Sequence, residues 1–322
     1  MCGAMLFAGS GFPDLVPDGD TYDSDFLTCL SELKFWESPE RCEENADEND
    51  QSDPPKNVAY ATEDSGDDDN VFYGSIAGAA IQSGGEKNAA FGFGALGSTT
   101  TGDYNVAVGY GAVYDNTTGA GNTGIGYVAL FNTETANYNT GVGYAALYSN
   151  TTGDRNTASG AQALANNSIG FGNVASGYQT LLSNTTGDYN TASGREALRS
   201  NTTADNNTAV GFRALYTATT ESNLTAVGYS AAYSNTSGTG TVAVGYGALY
   251  ANTTGDYNTA VGFSALELNT TGAGNTGFGY GALNRNTTAD NNTAFGANAL
   301  ALNTTGDRNT ASGAQALANN SI

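Results

Sequence analysis

From Asn88 onward the chain repeats every 17 residues, and 14 successive copies keep the register with no insertion or deletion. The unit is cleanest at 258–274, NTAVGFSALELNTTGAG. Positions are counted here from the leading Asn, which is Asn105, Asn122 and Asn139 in early copies. Position 5 is glycine in all 14 copies, among them Gly109, Gly126 and Gly143. Position 3 is always Ala or Gly, position 9 is Leu in 12 copies, including Leu130 and Leu147, and position 12 is Asn in 11. A period this short makes each copy one turn of a stacked array, because helical repeats spend more than about 30 residues on a helix pair. A 17-residue unit broken by Gly and Asn cannot hold one helix of ordinary length.

The unit does suit one coil of two short strands and two bends. The expected strands cover 259–263 and 264–268, with NTTG as a turn. Stacked coils place each strand about 4.8 Å from its copies. Like side chains then form ladders, including two Asn ladders whose amides bond along the stack. The array would be about 65 Å long at that spacing. Position 4 (Val108, Ile125, Val142, Val210, Val227, Val244, Val261) and position 9 (Leu130, Leu147, Leu198, Leu249, Leu266) are expected to form the core. Between them Ala107, Gly124, Gly141 and Ala260 imply a wall with no room for a branched side chain. The glycine at position 5 implies a positive φ or close backbone approach. Proline is absent after Pro55, which suits a backbone whose N–H groups are all needed in ladders. The expected fold is all-β, a parallel β-solenoid over 70–322, with 70–87 as an irregular first coil that caps the array.

The start of the chain is different material. Residues 1–69 hold 19 of the 32 acidic residues and 3 of the 10 basic ones, so the rest carries little of the formal charge of −22. Such an acidic balance argues against nucleic acid and anionic membranes as partners. Residues 1–40 read as a small irregular segment with a short helix over 24–36, and 41–69 as an acidic, disordered linker. Cys2, Cys29 and Cys42 read as free thiols, with a Cys29–Cys42 disulfide as the alternative in an exported chain. The Asp18, Asp20, Asp23, Asp25 cluster suggests calcium, but Gly19 is misplaced for an EF-hand loop. No apolar run reaches the length of a membrane span, so no membrane insertion is expected.

Catalytic chemistry finds little support. There is no His in the chain and no Cys in the repeats, which excludes Ser-His and Cys-His nucleophiles and His-based metal sites. No cofactor is expected. Asp at position 16 (Asp103, Asp154, Asp188, Asp205, Asp256, Asp290, Asp307) reads as a diluted charge column on a solvated edge. Adjacent Thr residues in the NTT phrase face opposite ways when extended, so they make no two-file Thr face for ice. Asn116, Asn150, Asn184, Asn201, Asn235, Asn252, Asn269, Asn286 and Asn303 open Asn-x-Thr or Asn-x-Ser sequons, read here as a buried turn ladder rather than glycan sites. Ser159, Ser176 and Ser193 replace the aliphatic at position 4 in three consecutive coils and are expected to make a polar stretch of the interior.

Aromatic residues recur at position 6 (Tyr110, Tyr127, Tyr144, Phe212, Tyr229, Tyr246, Phe263, Tyr280) and at position 10 (Tyr114, Phe131, Tyr148, Tyr233, Tyr250). Two exposed aromatic stripes make a patch that monomers rarely tolerate, so Tyr110, Tyr127, Tyr144, Tyr229, Tyr246 and Tyr280 are the expected interface of a homotrimer. The NTAVGY phrase, an x-A-L after it and a polar G-D-x-N turn resemble the head repeats of trimeric autotransporter adhesins, the YadA-like heads, and similar repeats in phage tail-fibre-like proteins. The resemblance covers 70–322, with a repeat of 17 residues where the family's is nearer 14, and without the family's stalk, neck or membrane barrel. It implies a left-handed β-roll, trimer formation, an extracellular or cell-surface location and a glycan or matrix partner. The expected function is therefore a non-enzymatic, adhesin-like rod offering a repetitive binding or spacer surface, with an ice- or crystal-surface binder as the alternative. Residues 303–322 repeat 150–169 identically, which marks a recent internal duplication.

Overall fold

The computed structural model describes residues 59–61, 69–82 and 84–320. The chain divides into two units, Met1–Pro54 and Pro55–Ile322, and all the repeats lie in the second. The helix expected over 24–36, the three cysteines and the early Asp cluster fall outside the described residues.

The repeat region is a parallel β-solenoid, as its period requires. One strand of three residues per coil stacks into a single sheet, from β2 (Val71–Tyr73) and β3 (Ala89–Phe91) to β16 (Thr310–Ser312), in chain order. From β3 onward each strand pairs in parallel with the equivalent residues of the next copy, as Val106 with Thr123 and Thr123 with Thr140. Coils are numbered from Asn88 as coil 1. The irregular coil before them joins the sheet through Val71↔Ala89. Its outer edge is covered by β1 (Ala59–Ala61), which runs antiparallel, Ala59↔Tyr73. That strand lies within the segment read as a linker, and it gives the first coil's backbone groups partners that no preceding repeat could supply.

The interior differs from the expected one. In every strand from β3 on, position 3 is the buried residue, while position 4 faces outward. Val108, Ile125, Val142, Val210 and Val227 are 37–39% exposed, and Val244 and Val261 are half-buried. The reason is strand alternation combined with lack of space. The inside is already occupied by Leu at position 9 and Asn at positions 1 and 12, buried in every coil before the last, together with a second Ala at position 8. A Cβ on Gly124 would sit 2.6 Å from Val113 Cγ2, so even Ala is too large where position 9 is β-branched. Ser159, Ser176 and Ser193 consequently lie on the outer strand face and make no polar stretch of the interior.

The second expected strand is absent. Residues 263–268 form a turn in which Ser264 and Leu266 both have φ near +50°, and Leu130 and Leu147 repeat this conformation in their coils. Left-handed residues on either side of Ala265 curl the chain sharply enough to bring Leu266 inside. Their N–H groups still bond along the stack: Ser264 donates to Tyr246 O in the preceding coil at 2.8 Å, and Leu266 to Ala282 O in the following coil at 2.9 Å. The backbone ladder thus continues through a segment that is not a strand, which offsets the conformational cost of φ > 0 in bulky residues. The glycine at position 5 satisfies both of its expected constraints. Gly126 has φ +134°, and a Cβ there would lie 2.5 Å from Gly143 O.

Three side-chain ladders bind the coils together. At position 1, Asn105 Oδ1 accepts the N–H of Asn122 (2.9 Å), and Asn122 Oδ1 that of Asn139 (3.0 Å). Each amide also donates to a turn carbonyl, as Asn105 Nδ2 does to Gly119 O at 2.9 Å. At position 12, Asn184 Nδ2 donates to Asn167 Oδ1 at 2.7 Å and to its own turn at Gly187 O at 2.9 Å. At position 16 the Asp carboxylates accept backbone N–H groups of the preceding coil, as Asp205 does from Asp188 at 2.7 Å. These carboxylates are structural anchors, not merely diluted surface charge. Where position 12 loses its Asn the ladder stops. Asn201 Oδ1 is buried without a partner next to Ala218, and Asn116 Oδ1 next to Thr133.

Two outcomes follow for stability. Ala218→Asn supplies the missing donor to Asn201 and an acceptor for Asn235, and should raise stability by about 1–2 kcal/mol in urea titrations. Gly126→Ala should lower it by about 2–3 kcal/mol or more, since both conformation and space oppose a Cβ.

Candidate functional site: an aromatic groove along the rod

Chemistry that meets solvent is concentrated where the strand turns into the left-handed segment. Gly at position 5 swings the chain outward, so position 6 leaves the sheet, and the two positive-φ residues at positions 7 and 9 bring position 10 to the same side. The aromatics at these positions stack into two columns. At position 6, Phe93, Tyr110, Tyr127 and Tyr144 form one run with centroids 5.1–5.7 Å apart. Phe212, Tyr229, Tyr246, Phe263 and Tyr280 form a second run at 4.9–5.5 Å. At position 10, Tyr114, Phe131 and Tyr148 stack beside the first run, and Tyr216, Tyr233 and Tyr250 beside the second.

The columns flank an axial groove floored by position 7, which is small in most of these coils. Around Tyr229, Tyr233, Tyr246 and Tyr250 the floor is Ser230 and Gly247, and the cleft measures about 330 Å³. A second cleft of about 530 Å³ lies beside Tyr127, Tyr144 and Tyr148. The expected interface residues Tyr110, Tyr127, Tyr144, Tyr229, Tyr246 and Tyr280 therefore do come together in columns, about half exposed. Ring faces are covered by the next ring along the stack, so the exposed part of a column is largely ring edges and hydroxyls. The remaining residues singled out from the repeat, Asn105, Asn122, Asn139, Leu130 and Leu147, are fully buried and serve the fold. So are the nine asparagines that open the NTT and NTS turns, from Asn116 to Asn303, which are 0% exposed and out of reach of a glycosylating enzyme in the folded rod.

Between the two aromatic runs the columns change chemistry. Position 6 becomes Ala161, Tyr178 and Arg195, and position 10 becomes Ala165, Leu182 and Arg199. Arg195 lies over the Tyr178 ring at 5.5 Å, and Arg213 over Phe212 at 4.9 Å. Both arginines bond Glu196, which is 5% exposed. The Arg213 hydrogen bond, helped by that of Arg195, holds the Glu196 carboxyl below the usual range despite the opposing effect of burial. Asp115 shifts the other way, raised by burial first and by nearby Glu134 second.

A second outward surface went unforeseen in the sequence. Position 2 is Thr in most coils (Thr123, Thr140, Thr208, Thr225, Thr259, Thr276) and lies beside position 4 on the outer face of the sheet, half-buried. The strand face is thus a file of Thr beside a file of Val, Ile or Phe. The signal for it was the Thr-Ala-Val phrase, once position 3 is recognised as the inward residue.

Neither a protein-family model, nor a curated protein, nor a solved structure matches this chain.

Glu196 gives a pH-dependent prediction. A carboxyl depressed in the folded state contributes stability above its unfolded value near 4.3, and that contribution is lost as pH falls through the folded value. Glu196→Gln should cost about 1 kcal/mol at pH 7, a modest figure because its arginine partners are partly exposed. Thermal melts should show the gap between variant and wild type closing as pH drops below about 4. Asp115→Asn has the opposite sign, and should be neutral or stabilising at pH 7.

Proposed function

We propose that residues 70–322 form the non-enzymatic rod of an adhesin-like surface or fibre protein, which offers one binding surface many times over. The observation that supports this most is the pair of aromatic columns flanking a groove that runs along the coils. An extended partner lying in the groove meets the same edges and hydroxyls at every step of about 4.8 Å. Many weak contacts of that kind gain affinity through effective concentration rather than through one strong site. The resemblance of the NTAVGY phrase to YadA-like head repeats favours the same reading, with an extracellular location and a glycan or matrix partner.

Homotrimer formation belongs to this proposal, but through a different surface from the one first expected. The rings cover one another's faces along each column and leave edges and hydroxyls outward, whereas position 4 presents only apolar atoms where it is Val, Ile or Phe, including the stacked Phe278 and Phe295. The flat strand face suits packing between chains and leaves the groove outward. Light scattering of the full chain should give three times the chain mass, and Ile125→Asp with Val142→Asp should give folded monomers. A wild-type monomer at micromolar concentration would rule the trimer out.

The binding role itself is tested with immobilised chain on glycan and matrix-protein arrays. Retention should climb steeply with chain density and fall at least tenfold when Tyr229 and Tyr246 become Ser. Retention indifferent to both would count against the groove. A second reading, attachment to ice or another crystal surface, has the Thr file beside the Val file in its favour, because a flat, regular sheet face can match a lattice. Thermal hysteresis that is abolished by Thr208→Lys would replace the first reading with this one.

A further inference from the structure

We propose that coil 5 (156–172) carries a discrete subsite of the groove, which takes one ring of a neutral oligosaccharide. It rests on the reading of the rod as a binding surface and assigns that surface a ligand class. In this coil both columns lose their aromatic residue together: position 6 is Ala161 and position 10 is Ala165. On one side Tyr144 ends the first run, its far face stacked on Tyr127 at 5.7 Å and its near face turned to the gap. On the other side Tyr178 has its far face covered by the Arg195 guanidinium at 5.5 Å, which leaves its near face to the same gap.

The size of the gap follows from the repeat. Tyr144 and Tyr178 are two coil steps apart, about 9.6 Å. A ring between them needs van der Waals contact of about 3.5–4 Å on each face. The column elsewhere holds one ring per coil, so removing one leaves a space one ring thick. The 530 Å³ cleft of the groove runs beside this gap, from Tyr127 and Val128 past Tyr144 and Gln162 to Ala165 and Leu182, and its volume is within the range of small-molecule sites.

The polar groups select among ring-shaped ligands. Gln162 and Asn166 of coil 5 both line the cleft. Gln162 Oε1 accepts from Gln179 Nε2 at 2.9 Å, which fixes its orientation and leaves its own amide N–H groups for a ligand. Asn166 is exposed and offers both a donor and an acceptor. Apolar faces above and below with neutral amides at the edge match a pyranose, whose C–H groups lie on its faces and whose hydroxyls lie around its rim. A flat aromatic ring would leave these amides unpartnered, and the cleft lining has no charged side chain to select an acidic sugar.

The sequence supplies a matched control. Residues 303–322 repeat 150–169, so Ala314, Gln315 and Ala318 copy Ala161, Gln162 and Ala165. The coil before the copy has Ala297 where the first has Tyr144, so the copy has no ring to close that side of the site.

The test uses the full chain and isothermal titration with cellopentaose, laminaripentaose and mannopentaose, together with an oligoguluronate and p-cresol. At least one neutral pentaose should bind. Ala161→Tyr completes the column, so it should melt no lower than wild type while losing at least tenfold in affinity. Gln162→Ala should weaken binding several-fold, and Ala314→Tyr should leave it unchanged. Unaltered affinity in Ala161→Tyr, binding of p-cresol or oligoguluronate in preference to every neutral sugar, or no pentaose binding at millimolar concentration would each overturn the subsite. Array retention that persists in the absence of pentaose binding overturns the subsite alone. Pentaose binding without density-dependent retention overturns the repeated-surface reading alone.

Discussion

Every coil of this protein depends on its neighbours for the partners of its own buried amides. The apolar interior of one coil is little more than a Leu and two Ala side chains, which is too small to stabilise an isolated turn. Asn fills the remaining space, and a buried amide is costly unless its hydrogen bonds are made. The amide N–H groups reach a turn of their own coil, but the amide oxygens find donors only in a neighbouring coil in register, as in the run Asn156, Asn173 and Asn190. The strict period, the glycine at position 5 and the small residue at position 3 all serve to keep the coils close enough for this. Stability is therefore a property of stacking, in the manner of nearest-neighbour arrays.

The period alone established stacking, parallel pairing and both Asn ladders, because repetition at fixed spacing translates directly into contact along an axis. It did not establish which side of the strand faces in. Val108 and Ile125 are the residues hydrophobicity would place inside, and only the volume already taken by Leu and Asn shows that Ala107 and Gly124 must go there instead. The turn at 263–268 was hidden for a related reason. Left-handed Leu is uncommon, and nothing in an S-A-L phrase distinguishes it from a strand. The aromatic columns were legible as stripes, but their stacking along the axis, and hence the significance of Ala161 as a missing ring, depends on the coil geometry.

The two outward surfaces divide the work differently. Rings in the groove satisfy their apolar faces within the chain and present edges and hydroxyls, so the groove is a wet, mildly amphipathic track. The strand face offers only apolar atoms where it carries Val, Ile or Phe, and it becomes more hydrophilic where Ser159, Ser176 and Ser193 take over. In those same coils the groove loses aromatics and gains Arg195, Arg199 and the buried Glu196. Coils 5–7 thus alter both faces of the rod together, and Ser312 with Ala314 and Ala318 repeats that change in coil 14.

The unbroken register also governs how such a molecule can change over generations. Gaining or losing one residue would misalign every ladder beyond it, whereas gaining or losing a whole coil leaves each ladder intact. The identity of 303–322 with 150–169 is the trace of such a block event. Reach therefore becomes a heritable quantity that varies in fixed increments, and the place of any specialised coil along the rod can be moved by recombination without redesigning the fold.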